Sequence, residues 1–238
     1  MLNFFHPFCQ TLTHIFLPNY CLLCKLTPSD CGLCEACTAS LPWQQHSCPC
    51  CAAPMLEDIL CGQCLQHEHS YDQIIVPFRY EHAMRYFINQ FKFHERLIVA
   101  RLLSILLTQH LKTRHDFIVP DLLLPVPLHK TRIRKRGFNQ ALELAKPLSK
   151  VLHIPVHHTL LYKKQASMAQ SLLDFKARQK NIKKLFGLKH AVMGKHIGIV
   201  DDVVTTGSTV NEIAKLLKQN GAMRVSVFAI ARTAVQKL

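Results

Sequence analysis

The sequence predicts an α/β protein in which a mostly parallel sheet with flanking helices follows a small metal-stabilised module. Two observations lead to this prediction. Segments with strand and helix periodicity alternate from residue 71 onward, which is typical of a doubly wound sheet. Before residue 70, cysteines recur in pairs at the spacing of zinc ribbons. We therefore expect two units, residues 1–70 and residues 71–238.

The strands and helices of the second unit follow from hydrophobic periodicity. The strand at residues 71–80 is expected at a sheet edge, because Pro77 cannot donate a ladder hydrogen bond. The other predicted strands are residues 121–126, 154–161, 185–188, 197–200 and 224–230. The predicted helices are residues 83–93, 95–111, 137–152, 170–184 and 210–220.

The cysteines of the first unit form a hidden repeat. Two Cys-x2-Cys pairs separated by nine residues occur twice, and each cysteine of the first copy recurs 27 residues later. Each pair can form a tight knuckle that offers two thiolates, and two facing pairs make a tetrahedral site. We therefore predict two structural zinc ions. The predicted ligands are Cys21, Cys24, Cys34 and Cys37 for one ion, and Cys48, Cys51, Cys61 and Cys64 for the other.

Other interpretations of the cysteines remain open. The chain has 11 cysteines, which could form a disulfide framework, although the number is odd and no secretory signal precedes them. Cys31 offers another register for the first site, and His67 or His69 could replace a thiolate in the second. Cys9 and Cys50, like Cys31, have no counterpart in the repeat, so we do not expect them to bind zinc.

One stretch joins an apolar strand to a helix through a small polar loop. Asp201 and Asp202 follow the apolar residues 197–200, and Thr, Gly and Ser fill the loop before the helix. Backbone N–H groups and the helix dipole favour a phosphate at such a junction, and two carboxylates can accept hydrogen bonds from a vicinal diol. The chain lacks a Gly-x4-Gly-Lys-Ser/Thr motif, which excludes a P-loop NTPase. The alternative is an ordinary Asp-rich turn capped by Ser208 or Thr209.

This motif resembles the loop of type I phosphoribosyltransferases that binds phosphoribosyl pyrophosphate (PRPP). The resemblance implies a type I phosphoribosyltransferase-like sheet. It also implies that the paired acids hold the ribose hydroxyls, that the loop wraps the 5′-phosphate, and that Mg²⁺ enters with the pyrophosphate. The PRPP-binding residues are then Asp201, Asp202, Val203, Val204, Thr205, Thr206, Gly207, Ser208 and Thr209.

Positive charge is concentrated in the second unit. Residues 1–70 hold one Lys and five acids, a net charge of −4, whereas residues 71–238 hold 28 basic and 10 acidic residues, a net charge of +18. A cationic stretch at residues 130–136, expected to be a loop after a strand, suits pyrophosphate or nucleic-acid phosphates, because arginine binds oxygens in pairs. A second basic stretch could contact phosphates or be a solvated helix face. The candidate contacts are Arg132, Arg134, Lys135, Arg136, Lys163, Lys164 and Arg178.

The motifs together resemble the ComF/GntX family of bacterial competence-associated proteins. The cysteine module, Arg-Gly-Phe-Asn-Gln at residues 136–140, Gln165, Arg178 with Asn181, and the PRPP loop occur in the family's order over nearly the full chain. The resemblance implies a cytoplasmic protein that handles single-stranded DNA during natural transformation and binds PRPP.

The partners follow from charge and aromatic content. The +18 unit suits a phosphate backbone. Phe91, Phe93, Phe138 and Phe175 could stack on bases, although such residues more often belong to a core. Lys25 is the single Lys or Arg of residues 1–70, so we expect the zinc module to dock other competence or DNA-uptake proteins, or to serve structure, rather than to be the main DNA contact.

Three functions remain open. The first is a competence protein that binds single-stranded DNA and PRPP, the second is a metabolic phosphoribosyltransferase with a small nucleobase acceptor, and the third is a nucleic-acid adaptor with a vestigial PRPP site. In the purine-salvage branch of the transferases an acid stands three residues after the second of the paired acids. Thr205 occupies that position here, which weakens purine salvage without removing catalysis.

No segment reaches the ~18 apolar residues of a membrane span. Residues 1–17 are apolar and aromatic but lack the basic start and small-residue cleavage site of a signal peptide. We expect them to pack on the protein, with peripheral contact at the inner membrane as the alternative.

Overall fold

A parallel sheet forms the centre of the computed structural model, which describes residues 20–29, 31–93, 97–164 and 185–234. Five strands build it: β1 (Gln73–Ile75), β2 (Phe78–Arg79), β3 (Leu122–Pro125), β6 (His196–Val204) and β7 (Arg224–Arg232). Their order is β1-β7-β6-β3, with β2 also on β7, and every pair is parallel. A separate antiparallel hairpin joins β4 (Leu161–Lys163) to β5 (Phe186–Leu188). The predicted α/β class is confirmed.

Strands β1 and β2 form one interrupted edge strand, as Pro77 predicts. The chain between the two cysteine copies covers this edge, since Gln44 N–H donates to the Pro77 carbonyl at 2.8 Å and Arg79 N–H donates to the Pro42 carbonyl at 2.9 Å. The Trp43 ring packs on the fully buried Phe78 with centroids 4.5 Å apart. The edge is therefore protected from pairing with another chain.

The helices cover both faces of the sheet. One face carries α3 (His82–Phe93), α4 (Leu97–Thr113) and α6 (Gln140–Leu152), and the other carries α7 (Ser208–Gln219) with the hairpin. Strand β6 serves both cores, because Ile197 and Ile199 pack on the α7 side and Val200 packs on the α3 side. This is why its sequence is continuously apolar rather than alternating.

The two cysteine modules lie on opposite faces of the sheet. The first, with the short helix α1 (Glu35–Ala39), contributes Cys21, Leu33 and Leu41 to the core on the α3 side. The second, with α2 (Gly62–Gln66), contributes buried Cys48 and Cys51 to the core on the α7 side. Each module therefore shares a hydrophobic core with the sheet, and the boundary at residue 70 stays a prediction.

Three predicted elements need correction. Residues 130–136 form a helix, α5 (Lys130–Arg136), rather than a loop, because His129 caps its start and Gly137, at φ 79°, ends it. The strand predicted at residues 154–161 is wrong, since that segment makes one isolated bridge, Leu123 to Val156, before β4 begins. The strand predicted at residues 185–188 forms as β5, but it pairs with β4 instead of joining the main sheet. The helix predicted at residues 170–184 lies outside the described residues.

No described helix has the length and apolar character needed to cross a lipid bilayer.

Candidate functional site

The eight repeat cysteines form two compact clusters. In each cluster all four Sγ atoms lie within 4.8 Å of one another. Cys24 and Cys34 Sγ are 3.9 Å apart, and Cys51 and Cys61 Sγ are 3.6 Å apart. Tetrahedral Zn²⁺ with Zn–S bonds of about 2.3 Å requires sulfur atoms about 3.8 Å apart. The clusters therefore fit zinc, and all eight cysteines carry free thiols.

Backbone amides prepare some of these sulfurs as thiolates. The amides of Leu26 and Thr27 lower the pKa of Cys24 to about 6. Burial acts against ionisation of Cys48, yet amide hydrogen bonds lower its pKa to about 7, and Cys61 N–H donates to its sulfur at 3.4 Å. In contrast, burial and neighbouring thiols raise the pKa of Cys37 to about 12. Four such sulfurs can all ionise together when a cation lies among them.

The alternative ligands lie outside both clusters. Among the described residues, the groups of three or more metal-ligating side chains are these two sets of four cysteines. Cys50 is half-buried next to the second cluster, where burial raises its pKa. The His69 ring stacks on Tyr71 with centroids 4.7 Å apart. The register with Cys31 and the ligation by His67 or His69 therefore find no support.

The phosphate loop (residues 205–209) joins the end of β6 to α7. Gly207 is the N-cap at φ 80°, a left-handed conformation that suits glycine, and it has no side chain with which to cap the helix. The Ser208 N–H donates instead to Thr206 Oγ1 at 3.3 Å. Thr206 and Ser208 hydroxyls bond to each other at 2.9 Å, and Thr205, Thr206 and Thr209 are exposed. The helix start thus offers amide donors and the positive end of its dipole beside hydroxyl groups, which is the chemistry of a phosphate site.

The two acids lie in the second half of β6, beside this loop. Asp201 lines a small pocket with residues of the loop. Burial, and then the neighbouring Asp202 carboxylate, raise the pKa of Asp201 to about 8. Asp202 forms an ion pair with Lys92 Nζ at 2.9 Å, and its other oxygen accepts the Val203 N–H at 2.7 Å. The site therefore holds one carboxyl that favours its proton and one carboxylate balanced by a lysine.

Lys92 is a site residue that the sequence analysis missed. It lies in the last turn of α3, more than one hundred positions before the acids. Its sequence signal is weak, a single lysine among apolar and aromatic residues at the end of a helix. Arg232, at the end of β7, was missed for the same reason, since it ends an apolar run without any recognisable motif.

The predicted phosphate-contact residues come from several segments. Arg132 and Arg134 are exposed on α5, Arg136 is half-buried, and Lys135 belongs to the same helix. Lys163 is half-buried on β4, where burial and then the positive charge of Arg132 lower its pKa. Lys163 Nζ also lies 5.8 Å from the centre of the Phe186 ring. Lys164 is exposed, and Arg178 lies outside the described residues.

The carboxyl ends of β3 and β6 bring the basic and acidic residues to the same edge of the sheet. Val126, just after β3, donates its N–H to the Val200 carbonyl at 2.9 Å, and Asn139 Nδ2 bonds to the Val126 carbonyl at 3.1 Å. Helix α5 therefore starts beside the strand that carries the acids.

Of the aromatic candidates for base stacking, Phe91 is fully buried and the Phe138 ring packs on it with centroids 5.6 Å apart, so these rings belong to the core. Phe175 and the side chain of Phe93 lie outside the description.

Comparison with known proteins agrees with this architecture. A model of the double zinc ribbon domain matches residues 12–65, and a model of the phosphoribosyl transferase domain matches residues 138–237. The DNA utilization protein YhgH of Escherichia coli K12 is 37% identical over 223 residues, which cover 91% of this chain and 98% of that protein. Competence protein F of Haemophilus influenzae is 32% identical over 242 residues, which cover 98% of this chain and 100% of that protein.

Among solved structures, glutamine PRPP amidotransferase from B. subtilis is 20% identical, with a TM-score of 0.36, over 52% of this chain and 24% of that chain. The fold assignment rests on the matched domain model and on the parallel sheet with its flanking helices. The chain belongs to the ComF/GntX family, in which a double zinc ribbon precedes a phosphoribosyltransferase domain.

The zinc assignment predicts a stoichiometry. We expect two zinc ions per chain in protein purified anaerobically without chelator, and one in Cys61→Ser, because three thiolates hold zinc more weakly than four. Cys50→Ser is the matched control and should keep both ions. Elemental analysis by mass spectrometry measures this directly, and fewer than two ions in the wild type would contradict the paired-ribbon assignment.

The raised pKa of Asp201 predicts a stability change with pH. An unfolded Asp has a pKa of about 3.9, whereas the folded value is about 8. The folded state therefore binds more protons between these values, and stability falls as pH rises through them. Asp201→Asn should match the wild type near pH 4, and should be more stable at pH 8.5, by on the order of 1–3 kcal/mol.

Urea unfolding at several pH values between 4 and 8.5 measures this difference. Asp116→Asn is the control, because Arg114 bonds to that carboxylate at 2.8 and 2.6 Å and lowers its pKa. That substitution should give no gain in stability at pH 8.5. A pH-independent effect of Asp201→Asn would contradict the assigned cause.

Proposed function

We propose that this protein is a cytoplasmic competence protein that binds PRPP at the phosphate loop and handles single-stranded DNA. Relatives over nearly the full chain are named competence protein F and DNA utilization protein, which supports the competence role. The PRPP and DNA activities are supported by the chemistry of the site.

One observation carries the PRPP proposal: the start of α7, with glycine at its N-cap, lies beside the two acids. A 5′-phosphate would accept hydrogen bonds from loop amides and hydroxyls at the positive end of the helix. Asp201 and Asp202 would bond to the vicinal hydroxyls of the ribose, with Lys92 released from its ion pair or shared. Arg132 and Lys163 would serve the pyrophosphate, with which Mg²⁺ would enter.

The DNA proposal rests on the distribution of charge. The described arginines of α5 project from the carboxyl edge of a unit whose net charge is +18. Such a surface attracts a phosphate backbone without sequence preference.

The zinc modules carry little positive charge but expose Leu56 and Leu65, which are 93% and 70% accessible. We therefore propose that the modules contact other competence proteins rather than DNA.

The PRPP proposal predicts that the combined substitution of Asp201→Asn and Asp202→Asn weakens PRPP binding by at least about 100-fold. Each carboxylate that bonds to a hydroxyl contributes about 1.5–3 kcal/mol. Calorimetry with and without Mg²⁺ measures the affinity. Glu35→Gln with Glu57→Gln removes the same charge from exposed positions in the cysteine modules and should bind PRPP normally. Wild-type affinity in the folded double variant would show that the loop assignment is wrong.

A deletion strain separates the two leading functions. Loss of transformation with growth on medium lacking purines and pyrimidines is expected for a competence protein. Auxotrophy for either nucleobase would instead favour a metabolic transferase, which the phosphoribosyl transferase domain keeps open.

The DNA proposal predicts a change in salt dependence. Each phosphate neutralised on a single strand contributes roughly −0.7 to the slope of log K against log salt. Combined replacement of Arg132, Arg134 and Arg136 by alanine should flatten the slope by up to about 2. The control replaces the exposed Lys150, Lys195 and Lys215, which lie on other surfaces. Fluorescence anisotropy with a labelled oligonucleotide measures both, and an unchanged slope in the arginine variant would place DNA elsewhere.

A further inference from the structure

Arg232 connects the second cysteine cluster to the phosphate loop. This side chain ends β7 and is 1% exposed. Its Nε donates to the Cys51 carbonyl at 3.0 Å, and its Nη1 donates to the Val204 carbonyl at 3.1 Å. Cys51 is a predicted zinc ligand, and Val204 immediately precedes the phosphate loop. One buried guanidinium therefore holds both segments.

The charge of Arg232 needs a counter-charge in the interior. None of the ion pairs formed by the described residues includes Arg232. A buried cation without a nearby anion is costly. Four thiolates around one Zn²⁺ leave a net charge of about −2 on the cluster, next to the carbonyl that Arg232 bonds. A zinc-loaded cluster would thus supply the counter-charge for the guanidinium.

Two further contacts connect the residues just after the second cysteine cluster to the phosphate loop and to the start of α7. Ser70 N–H donates to Asn211 Oδ1 at 2.7 Å, in the first turn of α7. The buried Tyr71 hydroxyl lies so close to Gly207 that a Cβ on that glycine would be 3.7 Å from it. Just after Arg232, Thr233 bonds through its N–H to the Val204 carbonyl and through its hydroxyl to the Thr205 carbonyl. The loop backbone therefore contacts Tyr71, just after the second cysteine cluster, and forms hydrogen bonds with the end of β7.

The first cysteine module provides an internal comparison. It packs on the opposite face of the sheet, where Gly32 lies beside Leu102 of α4 and Cys21 joins the core of α3 and α4. Its hydrogen bonds among the described residues do not reach the phosphate loop. A link between zinc and phosphate should consequently distinguish the two metal ions.

We propose that Arg232 is a positioning residue through which the second zinc ribbon sets the conformation of the phosphate loop. Loss of the second zinc removes the counter-charge, releases Arg232 from the Val204 carbonyl and weakens phosphate binding. Thermodynamic linkage requires the reverse effect, so phosphate binding retains the second zinc. The phosphate half of this proposal rests on the proposed PRPP function, whereas the link between Arg232 and the second zinc does not.

The test follows zinc release to a chromogenic chelator, with and without PRPP, alongside calorimetry of PRPP binding. Cys37→Ser removes the first ion and so identifies the release phase of the second. In the wild type, PRPP should slow release of the second zinc and leave the first unchanged. Arg232→Met should release the second zinc about 10–100-fold faster, bind PRPP more weakly and lose the protective effect of PRPP. Arg232→Lys, which keeps the charge, should recover part of each effect.

Arg224→Met is the matched control, because Arg224 begins the same strand at the opposite end of the sheet. It should change neither measurement. In a wild type that calorimetry shows to bind PRPP, equal protection of both zinc ions, or protection of neither, would overturn the proposal without needing any variant. If the wild type does not bind PRPP, the proposed function fails. The rate at which Arg232→Met releases the second zinc then tests the link between Arg232 and that ion. A release rate equal to that of the wild type would overturn this link.

Discussion

The pairing of β6 with β7 is the constraint on which the rest of this protein depends. Both strands are nine residues long, and their parallel register runs from His196 opposite Arg224 to Val204 opposite Arg232. Parallel strands end at the same edge, so the acids, the phosphate loop and Arg232 meet there. The apolar residues of both strands feed the cores on both faces, which makes this register costly to change.

Around that edge the molecule balances unfavourable charges against one another. Burial and the Asp202 carboxylate raise the pKa of Asp201, while the Lys92 ammonium forms an ion pair with Asp202. Arg232 is buried, and its guanidinium bonds to the carbonyl of Cys51 in the second cysteine cluster. Such arrangements lower stability and are retained where a ligand uses them. The charges around the phosphate loop are those that the proposed binding of an anion and a diol would use.

The double zinc ribbon is part of the same construction. The two modules lie on opposite faces of the sheet, and the chain between them crosses the β1–β2 edge with Trp43 against Phe78. Because each module shares a core with the sheet, a zinc ion bound at either cluster would also stabilise the sheet. Arg232 and Tyr71 connect the second module to the phosphate loop, so the second cysteine cluster and the candidate phosphate site belong to one connected region.

The sequence by itself determined the features that depend on local spacing. The cysteine repeat predicted both clusters, and the junction at residues 201–209 predicted a strand, a loop and a helix, since knuckles and phosphate loops are built from neighbouring residues. Tertiary structure alone decided which distant residues join them. Lys92 reaches Asp202 and Arg232 reaches Cys51 through the packing of α3 and β7, and no periodicity encodes such contacts. The run of cations at residues 130–136 predicted a loop, because like charges repel one another in a helix. The helix α5 forms there because His129 caps its start and Gly137 ends it.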